Sequence, residues 1–136
     1  MVFRKASAAD ISAVEEIYNE IHTAEEKGGL MTGWIRGVYP TRATAEGALA
    51  RGELFVLEDE GRIVSAGIIN QAQAEAYAQG RWVHELPKEQ VCVLHTLVVS
   101  PAASKKGYGK AFVCFYEDYA RETGCKACRM DTLEWN

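Results

Sequence analysis

Three lysines and two glycines lie within the six residues Lys105-Lys106-Gly107-Tyr108-Gly109-Lys110. Glycine has no Cβ, so Gly107 and Gly109 let the backbone approach a ligand closely. The apolar residues that follow recur at helical spacing, and the first N–H groups of such a helix are unpaired and carry about half a positive charge. The segment therefore predicts an anion-binding turn suited to a diphosphate. A turn that uses its glycines only for backbone geometry and leaves its lysines in water fits the local sequence equally well.

Two other phosphate-binding motifs do not fit this turn. A Walker A loop would need glycine at position 104 and Ser or Thr at position 111, where the chain has Ser104 and Ala111. A dinucleotide-binding fingerprint would need Gly or Ala in place of Phe112, and it would follow the strand directly. These departures argue against a nucleotide-dependent kinase.

The turn is predicted to join a strand to a helix. Residues 91–100 are apolar over most of their length, which is typical of a central strand covered on both faces. Between Gly107 and Thr123 the apolar residues predict a helix that faces the core. Other elements are predicted as a strand at 2–6, a helix ending near 26, a short helix at 44–52, a hairpin over 53–70 and a strand at 127–135. The order βααβββαβ predicts an α/β fold with a mixed sheet.

Composition excludes several classes of partner. The 136 residues carry a formal net charge of −4, and 48% of them are hydrophobic, as in a single globular domain. The negative charge argues against nucleic acid as the main partner. No apolar run approaches the roughly 20 residues of a membrane span, and the first residues lack the apolar region of a secretory signal. We therefore expect neither a nucleic acid nor a membrane partner.

The four cysteines are unevenly spaced and do not form the pattern of a disulfide framework. Cys125 and Cys128 have no second Cys or His pair at metal spacing, so we expect a structural role for them and no bound metal. Cys92 and Cys114 are expected to be small buried apolar residues. Together with the missing secretory signal, this pattern predicts a cytoplasmic location.

The segment LHTLVVSPAASKKGYGKAFVCFYEDYA, residues 94–120, resembles motif A of the GNAT superfamily of N-acetyltransferases. In that motif a strand is followed by the loop Gln/Arg-x-x-Gly-x-Gly/Ala and a helix. The loop pattern falls on Ser104 to Gly109, and Ser104 departs from it because Gln or Arg is usual there. The segment GELFVLEDEGRIVSAGIIN resembles the β2–β3 hairpin of the family. Since the order of elements also matches, the resemblance covers one domain over residues 1–136.

The resemblance implies acetyl-CoA as co-substrate and assigns residues to it. Backbone groups of the strand would contact the pantetheine and the acetyl carbonyl, and backbone amides of the turn would hold the pyrophosphate. The cofactor-binding residues carried over are Leu97, Val98, Val99, Ser104, Lys105, Lys106, Gly107, Tyr108, Gly109, Lys110 and Asn136. An N–H of Val98 or Val99 would stabilise the oxyanion.

The implied reaction is direct transfer of the acetyl group to an amine of a small molecule or peptide. A protonated amine must first lose a proton to a general base. His95 is the candidate, because its place in LHTL resembles that of a histidine in arylalkylamine N-acetyltransferases and its ordinary pKa suits the task. A core histidine on an apolar strand is the alternative. Trp34 and Tyr39 are predicted to contact the acceptor, with plain packing as their alternative.

The family commonly protonates the leaving thiolate with a tyrosine on a helix after the last strand. Here the sequence ends at DTLEWN, so we expect a C-terminally truncated domain without that helix and the final strands. Neither Tyr108 nor Tyr116 matches the missing acid. The second hypothesis is therefore a non-catalytic acyl-CoA-binding or regulatory module, which the departure at Ser104 also favours. Oligomeric state is not determined, and a homodimer stays open.

Overall fold

The computed structural model describes residues 1–28, 33–70, 91–103, 106–125 and 127–131. It contains the strands β1 Val2–Lys5, β2 Leu54–Asp59, β3 Arg62–Asn70, β4 Val91–Val99 and β5 Ala127–Asp131, and the helices α1 Ile11–Glu26, α2 Arg42–Ala50 and α3 Tyr108–Glu122. The predicted order and the mixed α/β fold are confirmed. The start of α2 was predicted two residues too late, because the Thr41 N–H donates to Thr44 Oγ1 (3.0 Å) and caps the helix there.

The five strands form one sheet in the order β1-β2-β3-β4-β5. Neighbours from β1 to β4 are antiparallel, whereas β4 and β5 run parallel and are joined by the crossover through α3. The predicted hairpin is confirmed between β2 and β3. Its tight turn uses Glu60 and Gly61, both with positive φ (53° and 77°), which matches the twist of the flanking strands.

Helices cover both faces of the sheet and divide the core into two clusters. On one face α1 and α2 bury Val14, Ile17, Tyr18, Ala45 and Ala48 against Val56, Ile68 and Val98. On the other face α3 buries its Phe112, Tyr116 and Ala120 stripe against Leu57, Ile69 and Leu94. Within the part of the chain described above, no helix is long and apolar enough to cross a membrane.

Two of the cysteines depart from expectation. Cys92 is buried on β4 and forms a disulfide with Cys125, and the Cα atoms of the two cysteines are 6.1 Å apart. Cys125 follows the end of α3, which packs over β4. The prediction that Cys114 is buried is wrong, since it lies on α3 between the core-facing Phe112 and Tyr116 and points outward. Cys128 is also exposed.

Candidate functional site

A β-bulge interrupts β4 next to the predicted base. Ala66 of β3 faces Val98, but Ile68 faces His95, so β4 carries one extra residue over this span. Thr96 absorbs it with φ +52° and is buried. This left-handed conformation costs a non-glycine residue roughly 1–2 kcal/mol, and such strain concentrates at functional sites. The bulge also changes which residues face α3, from Leu94 before it to Leu97 and Val99 after it.

The parallel ladder between β4 and β5 is described as far as the bulge. Its last described pair is His95 with Asp131, and β4 itself continues to Val99.

The ladder between β3 and β4 decides which backbone groups of β4 point toward β3. The Ser100 N–H donates to the Val64 carbonyl (2.9 Å), and alternation along an antiparallel ladder then directs Val98 toward β3 as well. The Val98 carbonyl also accepts from Ser65 Oγ (2.7 Å). Leu97 and Val99 consequently direct their backbone groups away from β3. Of the three contacts predicted on this strand, Val98 therefore differs from the other two in the direction of its backbone groups.

The glycine turn follows a short 3₁₀ turn, Pro101–Ala103, and begins α3. Gly107 is the N-cap of α3 and has a φ of +77°. The first intrahelical hydrogen bond runs from the Ala111 N–H to the Gly107 carbonyl (2.9 Å). The N–H groups of Tyr108, Gly109 and Lys110 therefore lie in the first turn, where a helix offers them no acceptor. A Cβ added at Gly107 would meet no described atom within 4 Å, so the approach to this turn is open in the described structure.

Side chains around the turn divide into two groups. Lys106 and Lys110 are exposed and carry their charge toward solvent. Tyr108 instead turns inward, is 8% exposed, and donates from its hydroxyl to Asp59 at the end of β2, which anchors the turn to the hairpin. Its contribution to an anion site is thus limited to its backbone. The predicted residues Ser104, Lys105 and Asn136 lie outside the described residues.

His95 is half-buried on β4 and is held by a chain of polar groups. Its Nε2 lies 2.9 Å from Asn70 Oδ1 at the end of β3. The Asn70 amide donates from Nδ2 to Glu53 Oε1 (3.1 Å), which also accepts from Arg51 Nε (2.8 Å). Partial burial would raise the pKa of the Glu53 carboxyl, but the hydrogen bonds from Arg51 and Asn70 outweigh it and the pKa is lowered. Glu53 is therefore ionised near neutral pH.

The loop between α1 and α2 lies against the bulge. The Tyr39 hydroxyl forms a hydrogen bond with Thr96 Oγ1, and the Trp34 ring meets the Tyr39 ring edge-on at a centroid distance of 6.1 Å. From α1, His22 Nε2 donates to the carbonyl of Pro40 (2.9 Å) and fixes the end of this loop. The structure thus brings Trp34 and Tyr39 to the strand that carries His95.

Four residues near His95 were not identified from the sequence: Asn70, Glu53, Arg51 and Thr96. The polar end of the apolar strand GIIN was the one available signal for Asn70. Its contact with His95 depends on the register between β3 and β4, which sequence periodicity does not specify. Within the described residues no group of three or more His, Cys, Asp or Glu side chains could hold a metal ion.

Comparison with known proteins places this geometry in a family. The model of the acetyltransferase (GNAT) family matches residues 12–136. The chain belongs to this family. The resemblance seen in the sequence is thereby confirmed. No curated protein matches the chain.

Solved structures share the fold at low identity. A GNAT-family acetyltransferase from Streptococcus agalactiae is 20% identical with a TM-score of 0.77, and the match covers 99% of this chain and 77% of that one. A GNAT-family acetyltransferase from Listeria monocytogenes is 22% identical with a TM-score of 0.76, covering 99% and 78%. A Mycobacterium tuberculosis protein solved in complex with CoA and NLQ is 19% identical with a TM-score of 0.66, covering 98% and 66%.

Proposed function

We propose that this chain transfers the acetyl group of acetyl-CoA to a primary amine of a small molecule or peptide. The observation that carries the proposal is the bulged strand β4, which turns the backbone groups of Leu97 and Val99 away from β3 and leads to the open turn at Gly107. A solved neighbour of the same fold contains CoA, which supports the same ligand here. Acetyl-CoA supplies the activated thioester.

Different residues of β4 and of the turn after it would bind different parts of acetyl-CoA. Backbone N–H groups at the start of α3, together with Lys106 and Lys110, would hold the pyrophosphate, because a helix N-terminus favours anions. Leu97 and Val99 would contact the pantetheine arm, and the Val99 N–H is the better oxyanion donor because Val98 is paired with β3. The placement of Trp34 and Tyr39 over the bulge supports an acceptor site on that face.

In the proposed reaction, His95 takes a proton from the acceptor amine. The amine nitrogen then forms a bond to the thioester carbonyl carbon and the carbon–sulfur bond breaks. The nitrogen loses its second proton as the amide forms, and the leaving thiolate takes up that proton. The acceptor and the cytoplasmic location predicted from the sequence are part of this proposal.

A non-catalytic acyl-CoA-binding module is the second candidate, and one observation favours it. Both tyrosines of motif A are engaged within the protein: Tyr108 with Asp59, and Tyr116 with the carbonyls of Cys92 and Arg129 at 2.8 Å each. Neither of these two hydroxyls is therefore available to protonate a leaving thiolate. This candidate binds acetyl-CoA and releases no thiol when amines are added.

Calorimetric titration with acetyl-CoA tests the shared binding step, with ATP–Mg²⁺ as the control ligand. Gly107→Glu should abolish binding, because it places a bulky anion at the turn. Gly124→Glu is the matched control at the opposite end of α3, since Gly124 also has positive φ (85°) and a Cβ there also meets no described atom within 4 Å. Equal loss of binding in both variants would contradict the placement of the pyrophosphate.

Thiol release on a panel of amines then separates the enzyme from the binding module. For the enzyme we expect turnover with at least one amine, and we expect His95→Ala to lower kcat about 10²- to 10⁴-fold, the usual contribution of a general base. Binding of acetyl-CoA should persist in that variant. Unchanged kcat in His95→Ala would remove His95 from the proposal.

A further inference from the structure

We propose that Cys92, Cys125 and Cys128 form a thiol–disulfide exchange site, in which the Cys128 thiol attacks Cys92 and releases Cys125. The cross-link then moves from the end of α3 to the neighbouring strand β5. The inference depends on these cysteines alone, so it goes beyond acetyl transfer and stands or falls separately from it.

The disulfide in the structure joins a buried sulfur to a more accessible one. Cys92 is 4% exposed on β4, whereas Cys125 is only partly buried just after α3. Exchange requires the attacking sulfur to reach the sulfur that it attacks. Attack on Cys92 in the folded chain therefore has to come from a neighbouring side chain rather than from a thiol in solution.

The sheet supplies Cys128 as that neighbour. Cys92 is paired with Cys128 in the parallel ladder, so both side chains project from the same face of the sheet. That face is the one that α3 covers, because Cys92 belongs to the core cluster under α3. Neighbouring strands lie about 4.8 Å apart, and a disulfide joins Cα atoms roughly 4.4–6.8 Å apart. The strand spacing thus meets the requirement for a disulfide between Cys92 and Cys128.

The Tyr116 hydroxyl of α3 gives independent support for this placement. It lies 2.8 Å from the carbonyl oxygens of both Cys92 and Arg129, which follows Cys128 on β5. Burial raises the pKa of this hydroxyl, and the nearby Cys128 thiol raises it further. The Cys92 backbone and the Cys128 thiol therefore lie beside the same hydroxyl group.

The exchange needs neither an external oxidant nor a reductant. Cys128 is exposed and carries a free thiol, which loses its proton to solvent and becomes the attacking thiolate. A bond forms between the sulfurs of Cys128 and Cys92 while the bond between Cys92 and Cys125 breaks. The electron pair of the broken bond leaves with the Cys125 sulfur, which takes up a proton. These three cysteines hold one disulfide and one thiol before and after the step.

The two pairings fix different elements of the fold. The disulfide of Cys92 with Cys125 ties the end of α3 to β4, at the point where the Cys125 N–H donates to the Ala120 carbonyl (2.9 Å). The disulfide of Cys92 with Cys128 ties β4 to β5 and leaves the end of α3 without this covalent link. Because α3 begins at the turn of Gly107, the exchange changes how firmly the helix behind that turn is held.

The first test maps the disulfides of the full chain without ligand. Trypsin places the four cysteines on four peptides, because a lysine or arginine lies between each two that are consecutive in the sequence. The chain is incubated at about pH 8.5, where thiols are partly ionised, then quenched in acid, alkylated and digested. We expect both the Cys92–Cys125 and the Cys92–Cys128 peptide pairs. Cys128→Ser should lose the second pair, whereas Cys114→Ser, the matched control at another exposed free cysteine, should keep both.

The second test removes the resident partner of Cys92. In Cys125→Ser, oxidised with glutathione disulfide, we expect Cys92–Cys128 as the main linked pair and no Cys92–Cys114, because Cys114 points away from the core. Amide hydrogen exchange is the second readout. The last turn of α3 should exchange faster in this oxidised variant than in Cys128→Ser, which keeps the original disulfide.

The outcomes decide the inference without reference to catalysis. Both pairs in the native chain, with the second lost only in Cys128→Ser, support it. A native chain that retains Cys92–Cys125 alone after incubation overturns it. So does a Cys125→Ser variant in which Cys92 pairs with Cys114 as readily as with Cys128, because the exchange would then not depend on the register of β4 and β5. Equal hydrogen exchange in the two variants overturns the release of α3.

Discussion

Replacing Asp10 with asparagine should remove a partly buried ion pair that ties the start of α1 to the edge of the sheet. The Asp10 carboxylate receives Arg4 Nη1 at 2.8 Å and Nη2 at 3.1 Å, and the Ser7 N–H at 2.7 Å. Arg4 also binds Glu58 of β2 at 2.9 Å. The Asp10 side chain is 11% exposed and the Arg4 side chain 35%, so solvent screens this ion pair only in part.

The size of the effect follows from the titration of this carboxyl. The hydrogen bonds from Arg4, together with that from Ser7, outweigh burial and lower the pKa of Asp10 from 3.8 to about 2. At 1.36 kcal/mol for each pKa unit, the ionised form stabilises the fold by about 2 kcal/mol. A depressed carboxyl pKa contributes stability that is complete above the unfolded-state value. That stability is lost as the pH falls through the pKa of Asp10 in the folded state. The free energy of unfolding should therefore decrease between about pH 4 and pH 2.

Urea denaturation of the native chain and Asp10→Asn at several pH values measures this effect. At pH 7 we expect the variant to lose about 2 kcal/mol of unfolding free energy, with the difference shrinking below pH 4. Asp118→Asn is the matched control, because Asp118 pairs with Arg121 at 2.9 Å with side chains 64% and 70% exposed. Such an exposed pair contributes roughly 0–1 kcal/mol. Equal losses in both variants, or a loss in Asp10→Asn that does not depend on pH, would refute the reasoning.

Two further substitutions probe the packing around β4. Gly67→Ala should lower the unfolding free energy by about 1–3 kcal/mol, because its Cβ would lie 2.9 Å from the buried side chains of Leu94 and Phe112. The control Gly47→Ala on α2 should instead stabilise the chain slightly. Chemical denaturation measures both changes, and an undiminished unfolding free energy in Gly67→Ala would contradict the crowding. Tyr116→Phe should cost about 1–2 kcal/mol, because its buried hydroxyl hydrogen-bonds backbone groups of both β4 and β5. Thermal unfolding tests this second change, and an unaltered Tm would exclude a bridging role for the hydroxyl.

Periodicity predicted most of the fold because burial has a regular signature in the sequence. The helical stripe of α3, the hairpin turn at Glu60-Gly61 and the apolar run of β4 each follow from one local pattern. The start of α2 was missed because a Thr–Thr cap is a weaker signal than the apolar spacing that follows it. The exposure of Cys114 was not predicted because cysteine is usually buried, although this position lies outside the apolar stripe of α3.

The site was less predictable because it depends on register rather than on residue type. The motif identified the strand, the turn and His95 as candidates. No feature of the sequence LHTLVV predicts the extra residue in the ladder between β3 and β4. Thr96 is neither glycine nor asparagine, so its left-handed backbone has no compositional signal. The direction of the backbone groups of Leu97 and Val99, opposite to that of Val98, follows only once β3 and β4 are aligned.

The bulge connects the two halves of the proposed chemistry. Before it, the regular ladder places Asn70 against His95 and orients the ring. After it, the shifted alternation directs the backbone of Leu97 and Val99 away from β3, on the strand that leads to the turn at Gly107. An unbulged strand would reverse this alternation and turn the backbone of Val98 away from β3 instead. In the proposed reaction, the residue inserted at Thr96 and covered by Tyr39 would therefore let one strand present a base through its side chain and bind an acyl carrier through its backbone.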